Sequence, residues 1–124
     1  MKVKCIKLLD ADGRETEFSS WLTLGRTYHV MSIFSDKSGR RSYGIINHHP
    51  EGEWPQLGSH QAECFEIVSE VTPSNWREWT SESARGISPA AWQESGFYEA
   101  FYDHDPATYP IFERERDIIL SEDP

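Results

Sequence analysis

One stretch constrains the fold of the first half of the chain more than any other. It spans residues 22–34 and reads Leu-Thr-Leu-Gly-Arg-Thr-Tyr-His-Val-Met-Ser-Ile-Phe. Gly25 suits a tight turn, and residues 27–34 after it have the pattern of a strand. Alternation places Tyr28, Val30 and Phe34 on one face and Thr27, His29, Met31 and Ile33 on the other. Because both faces carry apolar groups, this strand is expected in the middle of a sheet.

Around this strand the sequence predicts a β-rich unit in residues 1–70. Further strands are predicted at residues 2–9, 40–47 and 64–68, with a short extended segment at residues 54–57. Turn-forming residues separate them at positions 10–13, 35–39 and 48–53. About five short strands joined by tight turns are typical of a small curled antiparallel sheet or an SH3-like barrel.

Residues 71–124 are predicted to form a linker followed by a helical unit. Residues 72–75 have the composition of a linker, and residues 81–87 that of a loop. Trp76 and Trp79 fit either one helical turn or an extended pair. Ser88 and Pro89 are typical of a helix start, with serine as the N-cap and proline in the first turn.

Two helical signals follow in the second half. An aromatic stripe is formed by Phe97, Tyr98, Phe101 and Tyr102. Asp105 and Pro106 repeat the capping signal, and because Pro110 would interrupt a helix begun there, the main helix is predicted at residues 109–120. Its predicted buried face comprises Ile111, Phe112, Ile118 and Ile119, with Glu113, Arg114, Glu115 and Arg116 largely facing water. We therefore expect a single α+β domain, residues 1–124, with its C-terminal helices packed on the sheet.

The negative charge lies mainly in the second half. The 124-residue chain has a formal net charge of −9. Residues 1–70 carry 8 Lys and Arg against 10 Asp and Glu, whereas residues 71–124 carry 4 against 11. This distribution disfavours nonspecific nucleic-acid binding, which requires neutralised phosphates. It suits either plain solubility or a docking face for a basic protein.

Apolar runs are short, and the first residues alternate charged and apolar groups, so the sequence predicts no membrane span and no signal peptide. The expected compartment is therefore the cytoplasm. Cys5 and Cys64 are expected to be reduced core thiols on two paired strands, with a disulfide or a metal pair as the alternatives. No particular oligomeric state is predicted.

The sequence predicts neither an enzyme nor a cofactor. Adjacent His48 and His49 point in different directions, and no His or Cys spacing typical of a metal site is present. A Gly-x-Ser-x-Gly elbow and a glycine-rich phosphate loop are also missing from the sequence. His104, between Asp103 and Asp105, is interpreted as an ordinary surface histidine on a loop.

Two sets of residues carry a resemblance. Leu22-x-Leu-Gly-x-x-Tyr-x-Val, Tyr43-x-Ile and Cys64-Phe-Glu-Ile-Val resemble the layout of short bacterial and phage SH3-like proteins. Trp92-x-x-x-x-Phe-Tyr-Glu-x-Phe-Tyr-Asp-x-Asp-Pro, followed by Phe112-Glu-Arg-Glu-Arg, is similar to small immunity proteins of bacterial polymorphic toxin systems, of the contact-dependent growth inhibition type. The resemblance implies a cognate protein toxin as partner, often a nuclease, whose active site or substrate surface is blocked.

The expected toxin-binding residues lie in turn-rich segments where side chains project into solvent. They are Glu51, Glu53, Trp54, Asp103 and Asp105. Trp54 is the predicted aromatic anchor, and the carboxylates are predicted to meet a basic toxin surface. The alternative function is a non-catalytic SH3-like accessory module that binds a peptide or a protein subunit.

Overall fold

The computed structural model of the protein describes residues 1–48 and 53–124. The predicted loop at residues 48–53 therefore lies largely outside the described residues, as does His49. The described residues contain ten strands: β1 Lys2–Cys5, β2 Leu8–Leu9, β3 Glu15–Thr16, β4 Thr27–His29, β5 Ser32–Asp36, β6 Arg41–His48, β7 Gln56–Gln61, β8 Phe65–Ser69, β9 Trp76–Thr80 and β10 Ala84–Pro89.

These strands form three antiparallel sheets. The largest has five strands in the order β7-β6-β5-β10-β9, a second has the order β4-β1-β8, and β2 pairs with β3. In the described chain the five-stranded sheet has two open edges, β7 and β9, so the sheet alternative is adopted rather than the barrel.

The helices lie toward the C-terminus. Helix α1 spans Phe97–Tyr102 and α2 spans Tyr109–Glu122, and 3-10 turns span Ala62–Cys64, Ala90–Gln93 and Pro106–Thr108. The α+β class is confirmed, as is the main helix predicted at residues 109–120. Within the described chain, no helix has the length and apolar character needed to cross a membrane.

Residues 27–34 form two strands, so the prediction of one continuous strand is wrong. Strand β4 is an edge of the three-stranded sheet, and β5 is the central strand of the five-stranded sheet. The chain crosses between the sheets at Val30 and Met31, which are 0% and 2% exposed. Both faces of this stretch are apolar mainly because the chain passes through the core there. Phe34, by contrast, is 42% exposed.

The second half contributes two strands: β9, which the sequence indicated only as one alternative for Trp76 and Trp79, and β10, which it did not predict. Strand β10 replaces the predicted loop at residues 81–87 over most of its length and pairs with both β5 and β9. Trp76 and Trp79 are the extended pair, on β9. Residues 71–124 are therefore more than a linker and a helical unit. Pairing with β5 outweighed the local turn signals, because a central strand leaves its hydrogen-bonding groups unsatisfied without a neighbour on each side.

The predicted helix start at Ser88 is wrong for the same reason. Ser88 is the fifth residue of β10 and is buried. Its hydroxyl accepts a hydrogen bond from Nε2 of Gln93 at 3.2 Å instead of capping a helix. The 3-10 turn Ala90–Gln93 has Pro89 in the N-cap position and no side-chain cap.

Different elements cover the two faces of the five-stranded sheet. Tyr43 on β6 contacts Phe65 of the three-stranded sheet, with ring centroids 5.8 Å apart. The strand register places Ser88 on the face opposite to Tyr43, and there Ser88 forms a hydrogen bond with Tyr98 of α1. Burial raises the pKa of Tyr98 to about 12, against the lowering effect of that hydrogen bond, so its hydroxyl stays protonated.

Helix α2 buries Phe112, Glu115 and Ile119, while Ile111 and Ile118 are half-buried. The prediction that Glu115 faces water is wrong, since Glu115 is 8% exposed. Its Oε2 atom lies 3.0 Å from Nε of Arg114. Positions 112, 115 and 119 share one side of a helix, so Glu115 falls within the apolar stripe.

Cys5 and Cys64 are free and buried, as predicted. Cys5 lies on β1, and Cys64 ends the 3-10 turn that leads into β8, its partner strand. Burial raises the pKa of both thiols, partly offset by backbone hydrogen bonds. Both thiols are therefore protonated and weakly nucleophilic at neutral pH.

The buried thiols allow a stability prediction. Separate replacement of Cys5 or Cys64 by alanine is expected to lower the free energy of unfolding by about 1–2 kcal/mol, because each change removes one small apolar group. Urea unfolding measures this loss, and maleimide labelling of the native protein should be much slower than labelling in urea. Equal labelling rates for both thiols in the native and the unfolded protein would contradict their burial.

Candidate functional site

Trp54 lies at the centre of an aromatic contact between the segment before β7 and the two helices. Its indole stacks on the imidazole of His104, with centroids 4.9 Å apart and planes inclined by 14°. The ring also contacts Phe101 at 5.3 Å and Tyr109 at 5.6 Å. Trp54 is half-buried, and its Nε1 has no hydrogen-bond acceptor among the described residues. The inner side of Trp54 thus packs on the core, and its outer side meets an exposed histidine.

His104 adopts a backbone conformation that glycine usually occupies. Its φ is +61°, and it follows the C-cap of α1. The N–H of His104 donates to the carbonyl of Phe101 at 3.0 Å, and that of Asp105 donates to Ala100 at 2.9 Å. These two bonds are the Schellman motif that ends many helices. A side chain at this position costs free energy, and the stack on Trp54 is the contact that compensates for it.

Two of the predicted carboxylates flank this histidine. Asp103 and Asp105 are exposed on either side of His104 in the chain. Asp105 also has a structural role, because its Oδ1 accepts a hydrogen bond from the N–H of Ala107 at 3.0 Å and caps the 3-10 turn. Asp103 makes no such side-chain contact with described residues, so its carboxylate is the freer of the two.

Glu53 completes the described acidic group. It is exposed and directly precedes Trp54, so the Trp54–His104 stack brings its segment beside that of Asp103 and Asp105. Glu51 lies outside the described residues. We call Glu53, Trp54, Asp103, His104 and Asp105 the acidic aromatic face.

The chemistry available at the acidic aromatic face is that of binding. Exposed carboxylates accept hydrogen bonds from ammonium and guanidinium groups, and an indole with an imidazole presents a flat surface to cations and apolar groups. Within residues 1–48 and 53–124, no group of His, Cys, Asp and Glu side chains is arranged to hold a metal ion.

The sequence pattern did not reveal the role of His104 or Tyr109. His104 lies between an aromatic stripe and the Asp105-Pro106 capping signal. This position indicates the end of a helix but does not show which residue the His104 ring contacts. The partner, Trp54, is distant in the chain, and only the packing of α1 and α2 brings it there. In the sequence, the only indication of a functional site at His104 was that Asp103 and Asp105 flank it.

Comparisons of the chain with protein-family models, with curated proteins and with solved structures found no match.

Proposed function

We propose that the chain is an immunity protein that binds a basic bacterial toxin domain through the acidic aromatic face. The observation that carries the proposal is that two distant segments with exposed carboxylates come together at a half-buried tryptophan. A half-buried, well-packed aromatic group surrounded by charges has the composition of a protein interface hot spot and its rim.

The charge of the protein favours a basic partner. At a net charge of −9, long-range attraction speeds the encounter with a positive protein and slows the encounter with a negative one. Nuclease domains need positive surfaces to hold phosphates, so a nuclease toxin fits this field. Carboxylates of the acidic aromatic face would occupy the cationic groups that otherwise bind substrate phosphates.

In the proposed mechanism, the carboxylates speed association and Trp54 slows dissociation. Exposed carboxylates at the rim mainly set the association rate, whereas a desolvated aromatic anchor mainly controls dissociation. Trp54 is already held by Phe101 and Tyr109. Binding would therefore require little further ordering of this side chain, which lowers the entropic cost of association.

A matched pair of charge variants tests the proposal. The partner to be used in this test is the C-terminal toxin domain of a large secreted protein encoded by a neighbouring gene. The test variant carries Glu53→Lys, Asp103→Lys and Asp105→Asn, where asparagine keeps a capping side chain. We expect association to slow by about tenfold or more at low salt, with the difference shrinking as salt rises. Stopped-flow kinetics and growth protection during co-expression measure the effect.

The control variant carries Asp12→Lys, Glu17→Lys and Glu15→Gln, which changes the net charge equally at exposed positions in and beside the β2–β3 hairpin. Equal slowing by both variants would show that only net charge matters and would remove this face as the docking site.

His104→Gly deletes the ring and relieves the positive φ, so faster dissociation is expected without loss of folding. A gene neighbourhood without any toxin domain would contradict the immunity role itself.

A further inference from the structure

A row of polar side chains crosses four strands of the five-stranded sheet. The register pairs Ser35 with Arg41 on one side and with Arg85 on the other, and Arg85 in turn pairs with Thr80. Side chains of directly paired residues point to the same face of a sheet. Two guanidinium groups and two hydroxyls are therefore presented side by side, with Ser35 between the arginines.

This row borders a groove of about 320 Å³ that Arg41, Ser35, Arg85 and Thr80 line together. The next row of the same face supplies Ile33 and Ile87, both half-buried, and Glu78 beyond them. The groove thus has a cationic end and an apolar floor. Its volume is at the lower limit for small-molecule sites, which suits a ligand of one charged group and one small apolar body.

Arg41 in the first half and Arg85 in the second both lack a side-chain partner among the described residues, unlike the three other arginines of the second half. Arg77 donates to backbone carbonyls, and Arg114 and Arg116 lie within ion-pair distance of carboxylates. Neither Arg41 nor Arg85 forms a side-chain hydrogen bond or ion pair with any described residue. Two unpaired arginines that flank the same strand repel each other, and an anion bound between them would reduce that repulsion.

We propose that this groove binds a phosphate monoester carried on a small apolar group. Each guanidinium offers a planar pair of donors that matches two phosphate oxygens, and the hydroxyls of Ser35 and Thr80 add further donors. A carboxylate has only two oxygens and would leave part of this donor set unused. None of the residues that line the groove belongs to the acidic aromatic face.

The second row of the groove determines the orientation of the ligand. Ile33 and Ile87 take its apolar body, because burying apolar area there is favourable. Glu78 repels a phosphate from the far end, so the charged group is directed to the arginine row. Phenyl phosphate should therefore bind more tightly than inorganic phosphate, and benzoate should bind more weakly than phenyl phosphate.

Titration of the full chain with phenyl phosphate, inorganic phosphate and benzoate, followed by amide NMR shifts, tests this proposal. Arg41→Gln and Arg85→Gln are each expected to weaken phenyl phosphate binding by about tenfold, the loss typical of a charged hydrogen bond. Arg40→Gln removes the same charge from the neighbouring exposed residue and should change affinity by about twofold or less. Shifts should concentrate on the four strands that line the groove, β5, β6, β9 and β10.

The lysine variants separate charge from geometry. Arg41→Lys and Arg85→Lys keep the charge but lose the planar fork, so they should recover only part of the affinity. Equal weakening by Arg40→Gln and Arg41→Gln would overturn the proposal, because it would reduce the site to general charge. Tighter binding of benzoate than of phenyl phosphate, or no shift of groove amides with any of the three probes, would also overturn it.

Discussion

A chain that ends at Glu70 is expected to lose cooperative folding altogether. Truncation removes β10 and β9, so β5 would change from the central strand of the large sheet to an exposed edge. It also removes both helices: Tyr98 of α1 lines a pocket with Ser88 on one face of the sheet, and Leu120 of α2 lines a pocket with Ile46 on that same face. A three-stranded remnant with one uncovered apolar face and with β5 exposed as an edge does not bury enough surface to fold by itself.

Circular dichroism and urea unfolding of the two chains measure this effect. The full chain should show one sigmoidal transition, and the chain ending at Glu70 should show none. A cooperative transition with the same midpoint in both chains would show instead that residues 1–70 are an independent domain. The truncation therefore also tests the prediction of a single domain, residues 1–124.

Contacts between the halves of the chain explain why so large an effect is expected. The hydroxyl of Tyr102 donates to the carbonyl of Leu57 at 3.0 Å. Near the termini, Nε2 of His29 lies 2.6 Å from the carbonyl oxygen of Asp123. The carboxylate of Asp123 lies 3.0 Å from the Met1 ammonium group.

Elements encoded by short-range signals could be predicted from the sequence. The turn after Asp10 and the hairpin after Asp36 have the glycines with positive φ that such turns need, Gly13 and Gly39. Asp105 caps its turn as the Asp-Pro pair indicated. These structures depend on neighbours within a few residues, and the sequence shows those neighbours directly.

Elements that depend on distant partners were predicted wrongly. Gly86 in β10 resembles a loop residue, yet it lies where a Cβ atom would come within 2.7 Å of the Trp79 ring on the adjacent strand. Only a glycine allows that close approach. The end of β4 before Val30 could not be predicted from the sequence. A strand within one sheet and a chain that crosses between two sheets can have the same apolar pattern.

The candidate site was predicted in part. The exposed positions of Glu53, Asp103 and Asp105 follow from turn-rich sequence, and the structure brings their segments together. Glu51 lies outside the described residues. The stack that joins the segments was not predictable, because one ring belongs to the segment before β7 and the other to a helix end. Their function as toxin contacts stays a prediction.

The second large effect is expected at Phe112, which is fully buried in α2. The centroid of its ring lies 4.5 Å from the ring centroid of Phe101 and 5.0 Å from that of Trp92. Phe112→Ala should lower the free energy of unfolding by about 3–5 kcal/mol, because it removes the apolar ring and leaves a cavity. That is a large share of the roughly 5–15 kcal/mol typical of a folded domain. Urea unfolding measures the loss.

Phe18→Ala is the matched control, since Phe18 is 76% exposed and the chemical change is the same. It should alter stability by about 0.5 kcal/mol or less. Equal losses of unfolding free energy in both variants would mean that the packed rings of Trp92, Phe101 and Phe112 do not form the core. Phe112→Leu should recover much of the stability, because it refills part of the cavity. Since Phe101 contacts both Phe112 and Trp54, Phe112→Ala should also loosen the Trp54–His104 stack, whereas Phe18→Ala should leave that stack unchanged.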